Sequence, residues 1–447
     1  MYLEKAPSIR ALTEALSAAD LLTEVTAARP PHGERDRYLH WDKLRQLEPP
    51  EGLTSEQWWL RAKLARMSDF RQLPLTVPAG GPFVYSVPDA VLRHLHYIDQ
   101  HVAGEVALDE VVTSERGARQ RYLVNSLMEE AIRSSQLEGA MTSRVVAKEL
   151  LRSGRAPLDR GEQMVVNNYR ALEFMREEIG ARLTPAKILE LHRILAEGTL
   201  PDGAEAGRMQ RPGEPRVRVF DRDDGEPIHV PPPAELLPER MQALCDFANE
   251  GEDEERFVHP VLRAILVHFW LAYDHPFVDG NGRTARILFF WLMRQRGYWL
   301  AEYLPISRLL RRAPAQYVRA FLETETDGGD TTYFLLHQLR TIGRAVEDLH
   351  LYLRRKMAEA RDVEELLRGD ETLNGRQAAL LSHALKHPEH AYTFAGHARS
   401  NRVTHETARA DLGALARRGL LARRRRGRAY VFEASADLPQ RLKESGR

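Results

Sequence analysis

The sequence predicts a mainly α-helical protein that ends in a small, basic domain of helices and a hairpin. Three observations predict it. Apolar residues recur at three- and four-residue spacing through most of residues 119–355. Helix boundaries are written into the chain, as at Thr184-Pro185, an N-cap followed by proline at the first helical position, with Gly198 to end that helix. Before the C-terminal region, strand-like alternation is confined to the interval from Arg216 to Val230. A chain of 447 residues can hold two or three domains, and 43% apolar with 29% charged residues is an ordinary globular composition. Lys+Arg and Asp+Glu both number 64, so net charge names no partner. Cys245 is the only cysteine, which excludes an internal disulfide and a multi-cysteine zinc cluster. No basic start leads into an apolar run, and no stretch of about 18 apolar residues offers a membrane span. The expected compartment is the cytoplasm, with no membrane partner.

Taken in order, residues 1–118 read as a mostly helical module. Helical spacing from Ser8 to Thr26 is broken by Arg29-Pro-Pro-His-Gly, and a second helix runs from Glu56 to Met67. A Pro- and Gly-rich loop follows around Pro74 to Pro82, and Pro88 opens a helix from Val91 to Val102. Trp41, Trp58 and Trp59 read as the aromatic core of a small helical layer.

Residues 119–355 form the central domain. Helices are expected at Gln120 to Arg133, Val145 to Arg152 and Glu162 to Ile179, the last with Val165, Tyr169, Leu172, Met175 and Ile179 on one stripe and Gly180 at its end. Ala186 to Glu197 follows, with His192 read as a packed helix residue. In the strand-like interval Val217 and Val219 alternate with charge, Asp221-Arg-Asp-Asp-Gly225 supplies a turn, and Ile228 and Val230 alternate again. An isolated two-stranded hairpin is weakly held, so this one is expected to have a use. A long amphipathic helix runs from Asp330 to Lys356, and residues 356–370 form a helical linker.

Two apolar helices, Val261 to Tyr273 and Thr284 to Gln295, flank the stretch His275-Pro-Phe-Val-Asp279-Gly-Asn281-Gly-Arg283-Thr-Ala-Arg286. The Asp-Gly-Asn-Gly run can turn sharply and expose backbone N–H groups at a helix N-terminus, where orphan donors and the helix dipole favour a phosphate. Arg283 and Arg286, three apart, can serve one face of the first turn. Arginine is unfavourable at a helix N-terminus, so two of them there suggest an anionic visitor. Asp279 can hold a hard divalent cation beside a phosphate, and His275 is placed to act as a general base. A calcium loop counted from Asp279 needs Gly sixth and Glu twelfth; the chain has Thr284 and Phe290.

This stretch resembles the signature of the Fic family at every defining position. The resemblance implies a Fic-type helical bundle with a β-hairpin flap, binding ATP with Mg²⁺ and transferring AMP to a hydroxyl of a target protein. His275 would take the proton from the attacking Tyr, Thr or Ser hydroxyl, and Phe277 would anchor the loop. Asp279 would hold Mg²⁺. Gly280, Asn281 and Gly282 would line the anion nest, Arg283 would pair with the phosphates, and Arg286 would bind the γ-phosphate. The Doc branch, which phosphorylates instead, carries Lys where this chain has Gly282, which favours AMP transfer. The interval from Arg216 to Val230 matches the family's flap, which aligns the target by strand pairing. Met209 stands where relatives usually carry Phe.

Upstream, Ser134-Ser-Gln-Leu-Glu138-Gly139 reads plainly as a helix end with a glycine cap. It also matches the inhibitory motif of the same family, placed within the same chain. A carboxylate at Glu138 paired with Arg286 would occupy the arginine meant for the γ-phosphate and leave the α-phosphate misplaced for in-line attack. In some family members this glutamate also serves AMP removal.

Residues 371–447 read as a winged helix-turn-helix. The expected helices are Asn374 to Lys386, Phe394 to Ala398 and a third from its N-cap Thr404 to Arg418, with a basic wing from Arg423 to Phe432. Arg402, Arg409, Arg425, Arg426 and Arg428 are the candidate contacts to double-stranded DNA; the alternative is a protein-docking winged helix with a solvated arginine run. Two other functions stay open beside AMP transfer: a DNA-binding regulator with the Fic unit as nucleotide sensor, and AMP removal by the same site. A homodimer stays open as well.

Overall fold

In the computed structural model, contacts divide the chain into two units, Met1–Leu349 and His350–Arg447. All residues are described except 1–2, 15, 29–37, 79, 104–115, 221–224, 252–256, 369, 371, 427–428 and 446–447. The break at Arg29-Pro-Pro-His-Gly and most of the turn at Asp221 lie outside the described residues.

The first unit opens with short capped helices. Ser8 caps α1 (Ile9–Thr13), Ser17 caps α2 (Ala18–Ala27), His40 caps α3 (Trp41–Leu44), and a capping box of Thr54 and Gln57 starts α4 (Ser55–Met67). Trp59 is wholly buried against Ala6, Trp41 and Leu44, with Trp58 partly buried beside them, so the tryptophans are core.

Where a loop was expected, β1 (Arg71–Thr76) and β2 (Pro82–Tyr85) pair antiparallel. Pro74 hid the strand: it donates no backbone hydrogen bond, and the register shifts between Gln72 and Thr76 around it. The alternation survives all the same, with Leu73, Leu75, Phe83 and Tyr85 buried. This hairpin is tied to the far side of the unit, since Val84 N–H donates to the Gly329 carbonyl at 3.0 Å and Thr331 N–H to the Val84 carbonyl at 2.8 Å. Lys63 pairs with Asp327 at 2.9 Å, and Tyr38 donates to Asp330 at 2.6 Å. Helix α5 (Asp89–Ile98) widens into a π-turn over Asp99–Ala103.

Helices α6 (Arg116–Leu137), α7 (Arg144–Ser153), α8 (Arg160–Glu177) and α9 (Pro185–Ala196) follow, with Ser143, Asp159 and Thr184 as N-caps of the last three. The hairpin of β3 (Val219–Phe220) and β4 (Pro227–His229) is shorter than its sequence interval, because Pro227 lacks an N–H and the register shifts between Val219 and Phe220. Next come α10 (Leu237–Asn249), α11 (Pro260–Asp274) and α12 (Asn281–Gln295). The last two are buried on almost every side; α12 buries Asn281, Arg283, Thr284 and Arg286 along with its apolar residues. Phe269, Phe321 and Phe334 pack together with ring centroids 4.6 to 5.4 Å apart, Phe269 stacked on Phe321 and Phe334 tilted against both. Helices α13 (Ile306–Arg312), α14 (Pro314–Thr326) and α15 (Thr332–Arg368) complete the order, the last a single helix of 37 residues.

The second unit holds α16 (Gly375–Lys386), α17 (Phe394–Asn401), α18 (His405–Arg417), the hairpin β5 (Leu421–Arg426) with β6 (Ala429–Ala434), and α19 (Leu438–Ser445). Leu380, Leu381, Leu412, Leu415, Leu420 and Phe432 form its core. Leu438 and Leu442, one helical turn apart on α19, also enter that core; this helix was not read from the sequence. Two acidic residues are structural. Burial works against the Asp411 charge, but hydrogen bonds from Arg376, Asn374 and His397 outweigh it and hold its pKa at about 2. Arg418 closes on Asp370. Arg402, Arg409 and Arg425 are exposed, whereas Arg428 and the side chain of Arg426 lie outside the described residues. No described helix is long and apolar enough to cross a membrane.

Candidate active site

Helix α11 delivers the motif loop. Its last residue, Asp274, is buried and accepts from Arg240 Nε and Nη2 at 2.8 and 2.6 Å and from the Trp270 indole at 3.0 Å. His275 then turns the chain in the left-handed region, with φ 48° and ψ 51°, a conformation costly for a bulky residue. Its Nδ1 lies 3.3 Å from the Ala272 carbonyl. A carbonyl can only accept, so Nδ1 carries the proton and Nε2 keeps its lone pair. Burial pushes the His275 pKa down to about 4; the field of His229 adds to this, while the Ala272 carbonyl and Glu138 oppose it. The ring is therefore a neutral base at neutral pH.

The loop is clasped from inside. Asn281 Oδ1 accepts from the Phe277 N–H at 2.9 Å, and its Nδ2 donates to the Phe277 carbonyl at 2.8 Å. This reciprocal pair turns the Asn281 side chain inward. Phe277 is wholly buried and lies flat on His192, with centroids 3.7 Å apart and planes 4° apart. Gly280 starts α12 with φ 86°, which suits glycine. The first N–H groups of that helix have no intrahelical carbonyl to meet, the condition for an anion nest. Asp279 Oδ1 accepts from the Gly280 N–H at 2.6 Å, and its Oδ2 pairs with Arg160 at 2.8 Å. Arg283 is fully buried; Nη1 donates to the Leu195 carbonyl at 3.0 Å and Nη2 lies 3.4 Å from Asp279.

One turn further on, Arg286 Nη2 stands 2.8 Å from Glu138 Oε1. Its Nε donates to Ser134 Oγ at 2.9 Å and Nη2 to the Ser134 carbonyl at 3.2 Å. Arg286 Nη1 is buried and has no hydrogen-bond partner among the described residues. Gly139 has φ 96° just past α6, so Ser134–Gly139 is at once a glycine-capped helix end and the carrier of a carboxylate to Arg286.

Glu138, His275, Gly282 and Arg286 share one cavity of about 360 Å³, walled by Phe220 and Ile228 of the hairpin and by Tyr273, Tyr317 and Phe321. Asp279, Gly280, Asn281 and Arg283, expected beside the phosphates, are not among the residues that line it. Among the described residues no three His, Cys, Asp or Glu side chains are grouped to hold a metal ion. Asp279 offers one carboxylate, which fits an ion such as Mg²⁺ that takes few protein ligands and completes its shell with phosphate oxygens.

Three residues at the site carried no motif signal. His229 donates from Nε2 to the Tyr273 carbonyl at 2.7 Å and faces Glu325 through Nδ1 at 3.0 Å, which ties β4 to α11 and α14. Arg160 covers Asp279. His192, expected only to pack, also bonds the loop: Nε2 lies 2.9 Å from the Asp279 carbonyl and Nδ1 accepts from the Gly207 N–H at 3.0 Å.

Comparison with known proteins agrees with this geometry. Residues 182–293 match the profile of the Fic/DOC family. A protein named protein adenylyltransferase Fic from Nematostella vectensis is 29% identical over 187 residues, which is 41% of this chain and 40% of that protein. Protein adenylyltransferase fic-1 from Caenorhabditis elegans is 26% identical over 224 residues, 48% of this chain and 40% of its own length. The chain thus spans about two fifths of these relatives. Among solved structures, a Fic family protein from Desulfovibrio desulfuricans G20 aligns over 82% of this chain and 99% of its own, with a TM-score of 0.55 at 19% identity. The loop from His275, the buried helices on either side of it and the matched profile together make residues 182–293 a domain of the Fic/DOC family.

Proposed function

We propose that this protein is an adenylyltransferase that moves AMP from ATP to a Tyr, Thr or Ser hydroxyl of a target protein, itself included. One observation carries the reading: a neutral His275, its Nδ1 taken by the Ala272 carbonyl, shares a cavity with Gly282 and Arg286 at the N-terminus of α12. His275 takes the proton as the hydroxyl oxygen attacks the α-phosphorus. The new O–P bond forms as the bond to the β-phosphate breaks, and pyrophosphate leaves. Arg286 and the N–H groups around Gly282 receive the phosphates, and Asp279, which here pairs with Arg160, would hold Mg²⁺. Mg²⁺ bound there would neutralise phosphate charge. The hairpin of β3 and β4 pairs with the target segment as an added strand. Glu138 on Arg286 restrains the site. Incubation with α-labelled ATP tests this: label on protein is expected, more so with Glu138→Gly, and no label with that variant would refute it. Release of AMP from pre-labelled protein would instead favour AMP removal.

The second unit we read as a winged helix that contacts duplex DNA. Support comes from α18 behind its Thr404 cap, the exposed Arg402, Arg409 and Arg425, and an arginine-rich hairpin. The buried, unpaired Cys245 suits a reducing compartment, and the cytoplasm is the compartment proposed.

A further inference from the structure

We infer that His192 is a positioning residue for the motif loop, fixing the Asp279–Gly280 peptide and through it the Asp279 carboxylate and the first N–H groups of α12. The inference rests on the function proposed above. His192 comes from α9 and is wholly buried. Its two ring nitrogens have partners of opposite kind. The Asp279 carbonyl, 2.9 Å away, can only accept, so Nε2 carries the hydrogen. The Gly207 N–H, at 3.0 Å, can only donate, so Nδ1 is bare. One tautomer satisfies both, and no other does.

The same ring touches the loop at two more points. It stacks on Phe277 at 3.7 Å, and a Cβ placed on Gly280 would come 3.4 Å from the imidazole edge. Residues 277 and 279 are thus held by one side chain from another helix, which also stands close beside Gly280. The bonded carbonyl belongs to the same peptide whose N–H, at Gly280, donates to Asp279 Oδ1 at 2.6 Å. Turning that peptide would move both ends together: the carbonyl leaves His192 and the N–H leaves the carboxylate. Gly280 has no Cβ to resist that turn; from within the loop the Asp279 carboxylate opposes it, and His192 is the restraint from outside. Groups behind metal ligands commonly change metal affinity or activity about 10–100-fold when removed.

The test separates the bond to Asp279 from packing. In the full-length Glu138→Gly protein, His192→Gln keeps a donor near the Nε2 position. His192→Asn reaches only as far as Nδ1, and so keeps an acceptor for Gly207 but loses the donor. His192→Phe keeps the stacking and loses both bonds. Mn²⁺ affinity in the presence of ATP is measured by titration calorimetry, alongside kcat and KM for self-modification. Gln is expected to stay within a few-fold of the parent, while Asn and Phe lose about 10–100-fold in Mn²⁺ affinity and lose kcat more than they raise the KM for ATP. Gln and Asn alike in every readout, whether both normal or both impaired, would overturn the inference. A parent that binds Mn²⁺ and ATP but transfers no AMP would refute the proposed function instead, and the affinities would still decide the role of His192.

Discussion

Glu138 and Gly282 are in close approach: a Cβ on Gly282 would run into Glu138 Oε1, and would lie 3.1 Å from its Cδ and 3.0 Å from Arg286 Nη1. The missing side chain at 282 is what lets the carboxylate reach the arginine. The helix N-terminus proposed to receive a phosphate is thus already met by a carboxylate one residue past α6, paired with Arg286, which Ser134 steadies.

Replacing Gly282 by Ala should expel that carboxylate. The Glu138 side chain is flexible at its end, so the cost should be modest, about 1–3 kcal/mol for loss of a partly exposed ion pair with a buried arginine. In a Glu138→Gly background the same Ala meets no carboxylate and should cost less. Urea unfolding of the four proteins in the cycle measures this. Additive costs would mean that Gly282 and Glu138 do not constrain one another.

Glu138→Gly should raise self-modification, because Arg286 becomes available to the γ-phosphate. The variant should also gain more thermal stability from Mg²⁺-ATP than the native protein, since the ligand supplies the anion that was deleted. Arg286→Ala removes the restraint and the contact together, so it should not be activated, and the double variant should match it. Labelled AMP incorporation and melting curves with and without nucleotide check both halves. Activation by Arg286→Ala equal to that by Glu138→Gly would assign Glu138-Gly139 to the helix end alone.

Much of this site was legible because its chemistry is local. The loop from His275 to Arg286 lies in one run of sequence, and Glu138 sits in a short motif of its own. What escaped was contributed from a distance. His192 and Arg160 meet the loop across 87 and 119 residues of chain, through a carbonyl and a carboxylate, and His229 meets the Tyr273 carbonyl just before the loop across 44. A backbone partner leaves no mark on the sequence. The long helices were legible from their apolar spacing and caps, while β1 was hidden by Pro74 and α19 by its brevity, with two leucines too few to set a period.

Removing the base should separate chemistry from binding. His275→Ala should lower AMP transfer by about 10²–10⁴-fold and leave ATP affinity nearly unchanged. Because burial holds His275 at about 4, the rate in a Glu138→Gly background should be level from roughly pH 6 to 8 and fall only below about 5. A rate that climbs through the ordinary histidine value near 6.5 would show that the ring is not desolvated.

Stability should fall on mild acidification. Burial holds His40, His192, His275 and His337 at about 4 and His268 at about 3. Unfolding returns each to about 6.5, so between these values the unfolded chain binds more protons and stability rises with pH. Their contribution is complete above about 6.5 and is lost as pH drops toward 4. Urea midpoints at pH 7, 6 and 5 should decrease in that order; equal midpoints would place these rings in contact with water.

The arginines of the second unit divide into two kinds, and DNA should tell them apart. Arg418 is committed to Asp370 and Arg376 to Asp411, so they hold the fold. Arg424 lies 3.3 Å from Glu433, and Arg423 covers the Tyr430 ring at 3.6 Å. Arg409 and Arg425 are exposed, with no ion pair recorded among the described residues. Each phosphate contact adds about 0.9 to the slope of log affinity against log salt. Duplex binding by the full chain should therefore weaken steeply with salt, and Arg409→Ala with Arg425→Ala should reduce the slope by about 2 without lowering the melting temperature. Arg418→Ala should do the reverse, lowering the melting temperature through the stranded Asp370 while a protein still folded keeps its slope. Fluorescence anisotropy with a labelled duplex at several salt concentrations gives both slopes. If the full chain binds no duplex at low salt, the hairpin and α18 instead dock a protein, and their arginines are a solvated face.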